Sequence, residues 1–468
     1  MRQPSFCLKK NMESNEKRLI EMATRPIGRL LWQYSLPAVV GMLVMALYNV
    51  VDRIFIGQWV GPDAIAGLAV TFPIMNLATA VGVLVGVGST ARISIALGEN
   101  RKSLAEEILG NAMNLTIVNA AIYIAIFGVF MDPLLRLFGA SDATLPYARD
   151  YMMPLLPGLL LTNIAFGFNN IIRASGYPSR AMYTMLIGAV VNTVLDPLFI
   201  YVFEWGITGA AIATDIAMAV SALYVMWHFR HPDVSLTFRR GTFGLRKAIV
   251  VSIITLGAAP ALVNAAGCAI NAIVNNTLLA YGNDRDIGAA GIMITFTSLL
   301  VTVVLGICQG LQPLIGYNYG AGKILRLRKA YFLAVAAASV ITAGGAVVGL
   351  LFPREVGMAF TTDGPLLDAT ERALRSCLIA FPVVGFQIIS TTLFQSLGKA
   401  AESILVSLLR QVLFLIPLLL WLPRSMGIDG VWYSFPISDT LATLVTFILV
   451  WIQLRMLAKQ LTANSHES

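Results

Sequence analysis

The sequence predicts an all-α integral membrane protein, with twelve transmembrane helices in two six-helix lobes related by a pseudo-twofold axis along the membrane normal. Three observations carry this. Of its 468 residues, 57% are hydrophobic and only 12% charged, where a soluble chain has about a quarter charged. Charge-free runs of about 20 residues or more, the length that crosses a bilayer core, recur along the chain. The two halves also resemble each other at a nearly constant offset. An open sheet is excluded, because lipid leaves its edge groups unsatisfied. A β-barrel is excluded because the runs do not alternate polar and apolar residues.

Residues 1–26 are polar and charged, with no apolar run before the first long one, so they read as a tail and not as a cleaved signal peptide. Met12 is an alternative start to Met1. Leu30–Val51, Ala64–Ala91, Ile108–Met131 and Tyr151–Ile172 give the first four crossings; the fifth and sixth each carry one acid, Asp196 and Asp215. The N-terminal lobe is therefore expected over 27–229, and a basic linker over 230–247. Ala248–Asn283, Ile287–Gly322 and Ala330–Pro353 open the C-terminal lobe, 248–458. Its later crossings carry Arg410 and Asp439, and a polar tail follows over 459–468.

The charge of +8 would suggest nucleic acid in a soluble protein. Here it follows the positive-inside rule. With twelve crossings, 24 of the 33 Lys and Arg fall on the side of the termini, seven on the other, and Arg53 and Arg410 lie within apolar segments. Both termini are expected in the cytoplasm, with the protein in the inner membrane.

The repeat places Pro37 on Pro260, Asp52 on Asn275, Gly98 on Gly320, Asp142 on Asp363 and Gly176 on Gly398, at offsets of 221 to 223. Six crossings per repeat return the chain to the same side, so the lobes share one orientation, and a substrate path is expected between them.

Charged residues at mid-membrane cost roughly 2.5–3.5 kcal/mol on insertion scales and usually face a cavity. Asp52 lies 22 residues beyond Leu30, about 33 Å along a helix, in the outer leaflet. Arg53 points about 100° away and is expected to snorkel to the outer interface. In "NTVLDPLFIY", Asn192 shares a helical face with Asp196, and Pro197 disturbs the helix beside them. Two carboxyls and a carboxamide make an oxygen-rich pocket for a hard cation or a shared proton. Pro37 supplies a bend point in the first helix. Arg410, the deep basic residue of the C-terminal half, either pairs with an acid across the lobes or meets an anionic ligand. Asp215 and Asp439 are read as structural or functional without preference.

Other signals are weaker. "GVGSTA" at 86–91 imitates a dinucleotide fingerprint without a preceding strand, and Gly82 with Gly86 reads instead as a close helix contact. Cys7, Cys268, Cys308 and Cys377 are scattered, three of them in apolar segments as packing residues. His228, His231 and His466 lie in loops or the tail, so no metal site is expected. No nucleophile–base set appears, and an enzyme is not expected.

The stretches "LPAVVGMLVMALYNVVDRIFIG", "NTVLDPLFIY", "GLQPLIGYNYGAG", "FQSLGKA" and "GIDGVWYSFPISD" are similar to those of bacterial multidrug and toxic compound extrusion (MATE) transporters, over nearly the whole chain. The resemblance implies an antiporter that exports organic, often cationic, compounds in exchange for Na+ or H+ by alternating access of two lobes. It implies no other cofactor, small organic substrates and the bilayer as partners, no nucleic acid, and a monomer. It also implies that Asp52, Asn192, Asp196 and Thr214 form the coupling site, and that Tyr48, Met75 and Asn169 line the N-lobe cavity. One branch of the family carries a glutamate on the seventh helix; this chain has no acid in Ala248–Asn283, with Cys268 near that place. Coupling is therefore expected in the N-lobe. The alternative within transport is a flippase of lipid-linked polysaccharide from the same superfamily.

Overall fold

A computed structural model describes residues 18, 20–60, 62–231, 234–239 and 241–466. The alternative start at Met12 and the cysteine at position 7 lie outside the described residues, as does the side chain of Cys268.

The described chain is built of helices: α1 (Ile27–Trp59), α2 (Pro62–Gly98), α3 (Lys102–Leu137), α4 (Leu145–Ala174), α5 (Pro178–Pro197), α6 (Gly206–Arg230), α7 (Lys247–Tyr281), α8 (Asp284–Gly320) and α9 (Ile324–Leu351). They continue with the short α10 (Pro353–Met358), α11 (Gly364–Cys377), α12 (Phe381–Ser396), α13 (Ala400–Leu408), α14 (Ile416–Met426) and α15 (Ile428–His466). π-Helical turns prolong α5 over Leu198–Val202 and join α13 to α14 over Leu409–Leu415. Eleven segments are long and apolar enough to span a membrane, and the α11–α12 pair makes a twelfth, bent by 58°.

That bend is where the two repeats part. The fourth crossing, α4, runs unbroken through Pro154 and Pro157. Its counterpart divides between Cys377 and Phe381, where Pro382 cannot extend a preceding helix. α11 carries Asp368, Glu371, Arg372 and Arg375, so it suits an interface and not the hydrocarbon.

The helices alternate in direction, which puts residues 27 and 466 on one face of the bundle, here called the terminal face. Near that face one apolar core crosses both lobes: Leu30, Leu97 and Phe168 pack in the same cluster as Ile253, Leu311 and Leu393. Toward the opposite face the core divides. Val274, Leu374 and Trp432 belong to a C-lobe cluster, and Ile74, Met152 and Leu159 to an N-lobe one. The lobes are thus joined at one end and separate at the other.

Glycine allows the join. A Cβ on Gly257 of α7 would stand 1.9 Å from the Leu84 carbonyl oxygen of α2, and one on Gly88 of α2 would stand 2.0 Å from the Ile253 oxygen of α7. Gly98 and Gly320 make the same reciprocal approach between α2 and α8, at 2.2 Å each way. Within the N-lobe, the Gly82/Gly86 pair does the close packing expected of it, against Asn163 and Gly167 of α4.

Side chains of α8–α9 tie down the segment before α1. Arg326 donates to the carbonyl oxygens of Arg25 (2.6 Å) and Met22 (3.3 Å), and Lys323 to that of Ala23 (3.1 Å). The linker is fastened to α3: Arg239 pairs with buried Glu106 (2.9 Å) and Arg246 with Glu107 (2.7 Å), while Asn114 donates to the Phe243 carbonyl.

Candidate functional site

Away from the terminal face, the N-lobe encloses a cavity of about 490 Å³. α1 contributes Tyr48, Asp52 and Arg53 to its wall; α2 contributes Thr71, Met75, Asn76 and Thr79; α6 contributes Thr214. Tyr48 and Asp52 are four residues apart, and Thr71, Met75 and Thr79 are spaced by four, so each set presents one helical face. Of these α2 residues the sequence reading named only Met75. Its polar neighbours were legible as a hydrophilic stripe inside an apolar run.

Asp196 and Asn192 lie behind this wall, both essentially buried. Asn192 Nδ2 donates to Asp196 Oδ1 (3.1 Å) and reaches Thr214 Oγ1 (3.3 Å). The Asp52 and Asp196 carboxyls are within hydrogen-bonding reach of each other. Asp52, Asn192, Asp196 and Thr214 are therefore brought together from α1, α5 and α6. One oxygen on each of Asp52, Asn192 and Asp196 has no hydrogen-bond partner among the described residues. Orphaned buried acceptors are costly. Two of these belong to the neighbouring carboxyls and the third to the carboxamide bonded to one of them, a set that suits a proton or a small hard cation. Asp52, at the wall, stands between the cavity and Asp196.

The structure departs from the expectations at several residues. Asn169 does not line the cavity. It is 4% exposed and donates to Thr184 Oγ1 and to the Ala181 carbonyl, while its own Oδ1 accepts from Arg173 (2.8 Å). Arg173 is fully buried and also donates to Asn170 (3.0 Å). The two asparagines, three and four residues before the arginine, hold a buried cation in place of a carboxylate. Asn169→Ala should leave that guanidinium short of an acceptor and cost about 1–3 kcal/mol, read as a lower thermal-unfolding midpoint in detergent.

Arg53 is exposed and lines the cavity wall, with its guanidinium 5.1 Å from the ring centre of Phe72. Asp215 packs against Gly158 of α4 with one oxygen unpartnered among the described residues. His228 is buried within α6 and does not lie in a loop; it contacts Arg180 (3.2 Å). Arg410 faces a different cavity, between the lobes, and its acidic neighbour, Asp439 at 3.7 Å, belongs to its own lobe, so it makes no pair across the lobes. Among the described residues no cluster of three or more His, Cys, Asp or Glu is placed to hold a metal.

Known proteins resemble this chain along most of its length. A transporter from Shewanella oneidensis described as an FAD transporter is 26% identical over 438 residues, covering 92% of this chain and 95% of that protein. The multidrug export protein MepA of Staphylococcus aureus is 24% identical over 460 residues, covering 97% and 99%. Among solved structures, a MATE protein in its bent conformation matches with a TM-score of 0.89 at 24% identity, over 95% of this chain and 98% of that one. The MatE family profile matches twice, at residues 37–198 and 259–421, one match in each lobe and in register with the internal repeat. The chain is a multi-pass membrane protein of the MatE family.

Proposed function

We propose that the protein is a secondary active efflux transporter that exports organic compounds, cations among them, in exchange for Na+ or H+. The observation that carries this is the facing Asp52–Asp196 pair, with its orphaned oxygens, directly behind the wall of the N-lobe cavity. A cavity that held only cargo has no need of a second acid that it cannot touch. Two carboxyls a few ångströms apart cannot both stay charged cheaply, so one site accepts a cation or proton and changes the charge of the cavity wall.

In this reading the terminal face is cytoplasmic and the described conformation opens outward. A cation or proton entering from outside reaches Asp52 first and Asp196 second. Neutralising the pair removes the attraction that held an organic cation near Asp52, and the cargo leaves. Thr214 and Asn192 orient the oxygens. The chain works as a single copy in the inner membrane. Export by the multidrug relative supports this reading.

The test is dye transport in everted membrane vesicles energised separately by a Na+ gradient and by a pH gradient. Ethidium accumulation driven by one or both gradients is expected. Accumulation that needs neither, or none in the presence of both, refutes coupled export.

A further inference from the structure

Between the lobes, largely on the C-lobe side, lies a second cavity of about 380 Å³. Its lining differs in kind from that of the N-lobe. Six carboxamides face it, from Asn264 on α7, Gln309 and Gln312 on α8, Gln387 and Gln395 on α12 and Gln411 on the π-helical turn, together with Arg410. Pure helix packing does not ask for such a set, because a buried amide without partners is unfavourable. Gln312 and Gln395 each donate to a backbone carbonyl, that of Val87 (3.2 Å) and that of Leu256 (2.9 Å). The side-chain carbonyl oxygens of Gln309, Gln387 and Gln411 have no hydrogen-bond partner among the described residues, although Gln387 is only 4% exposed. Three orphaned acceptors lining one cavity are satisfied by N–H or O–H donors.

Arg410 adds the opposite character. Its Nη1 lies 3.7 Å from Asp439 Oδ1, too far for a hydrogen bond. Its backbone carbonyl is fixed by Ser438 (2.5 Å). Asp439 therefore orients the guanidinium without using up its donors, and the planar fork remains available to an oxyanion.

We infer that this cavity is a binding site for organic anions that carry hydrogen-bond donors. The anionic group meets Arg410, and the N–H or O–H groups meet the glutamine carbonyls. The two cavities then sort ligands by charge, cations toward Asp52 and anions toward Arg410. The inference rests on the transporter reading only in treating the bound anion as cargo; the binding itself needs no gradient.

The test is equilibrium binding to the purified full chain in lipid nanodiscs. The probes are p-aminohippurate, which has one carboxylate with amide and amine donors, and its neutral methyl ester. The anion should bind more tightly than the ester by about tenfold or more. Arg410→Gln should erase that preference, and Arg410→Lys should keep part of it. Asp439→Asn, which removes the negative charge beside the guanidinium, should tighten the anion and leave the ester unchanged. Gln387→Leu should weaken both probes. Absence of saturable anion binding to the wild type overturns the inference, and so does equal affinity for the two probes. An unchanged preference in a folded Arg410→Gln protein overturns it as well; if that variant does not fold, an Asp439→Asn protein with unaltered anion affinity does so instead. Failure of these results while ethidium export persists refutes this site alone. The expected binding without any gradient-driven export refutes the transporter reading alone.

Discussion

Asp52→Asn should abolish ion-driven efflux while the protein stays folded. The replacement is nearly isosteric, and it fixes the cavity wall in the state that a bound proton would produce. The orphaned oxygens on Asp52, Asn192 and Asp196 are the reason to expect a large effect, because an ion that satisfies all of them loses its charged partner in the variant. Typical coupling energies correspond to roughly 5- to 150-fold in affinity, and the rate of dye accumulation in everted vesicles should fall by at least about tenfold. Asp196→Asn alone should do the same. The double variant is the more telling measurement. Independent sites would add their losses within about 0.5 kcal/mol, whereas a pair that binds one ion should lose little more on the second change than on the first. Wild-type transport by either single variant would sink the coupling site, and simple addition of the two losses would show two unrelated charges.

A methyl group at Gly257 should hold the lobes apart. Its Cβ would sit 1.9 Å from the Leu84 carbonyl, which as backbone cannot swing aside. Overpacking of this kind costs about 1–3 kcal/mol. Because the clash exists only where α2 and α7 touch, that cost falls on the conformation closed at the terminal face and spares the opposite one. Populations should shift by roughly 5- to 150-fold. Gly257→Ala should therefore reduce the labelling of Met75→Cys by a membrane-impermeant maleimide added outside, and should stall transport. Gly88→Ala, on the other side of the same contact, should do likewise. Gly291→Ala, where nothing lies within 4 Å, serves as the control and should behave as wild type. Unchanged labelling at both contact glycines would mean that the two helices separate at no step of the cycle.

Much of this was legible in the residues, and the limits have physical causes. Charge-free runs of membrane length and one repeating offset specify twelve crossings, since lipid permits little else. The break between α11 and α12 was not legible, because Pro382 ends one helix and begins another only in the context of an amphipathic segment before it. Asp52, Asn192 and Asp196 stood out as polar atoms in apolar helices, yet their meeting depends on how α1, α5 and α6 pack. Asn169 shows the reverse case. Its spacing to Arg173 already suggested a local partner within α4, and placing it in the cavity set that signal aside. The contact of Arg53 with Phe72 could not be read from its own segment, because Phe72 belongs to the next helix. The linker's attachment likewise needed Glu106 and Glu107 of α3, more than 130 residues away in sequence from Arg239 and Arg246.

The apolar core that crosses both lobes near the terminal face has a consequence for biosynthesis. When the ribosome has delivered the first six crossings, Leu97 and Phe168 still await Ile253, Leu311 and Leu393, and the bare backbone at Gly88 and Gly98 has no helix against it. The first half can insert in the bilayer but cannot finish folding. It must remain an unfinished bundle, its small-residue face open to lipid or to insertion factors, until α7 and α8 emerge. Duplication of a six-helix unit has here produced a chain whose halves are no longer separable units of assembly.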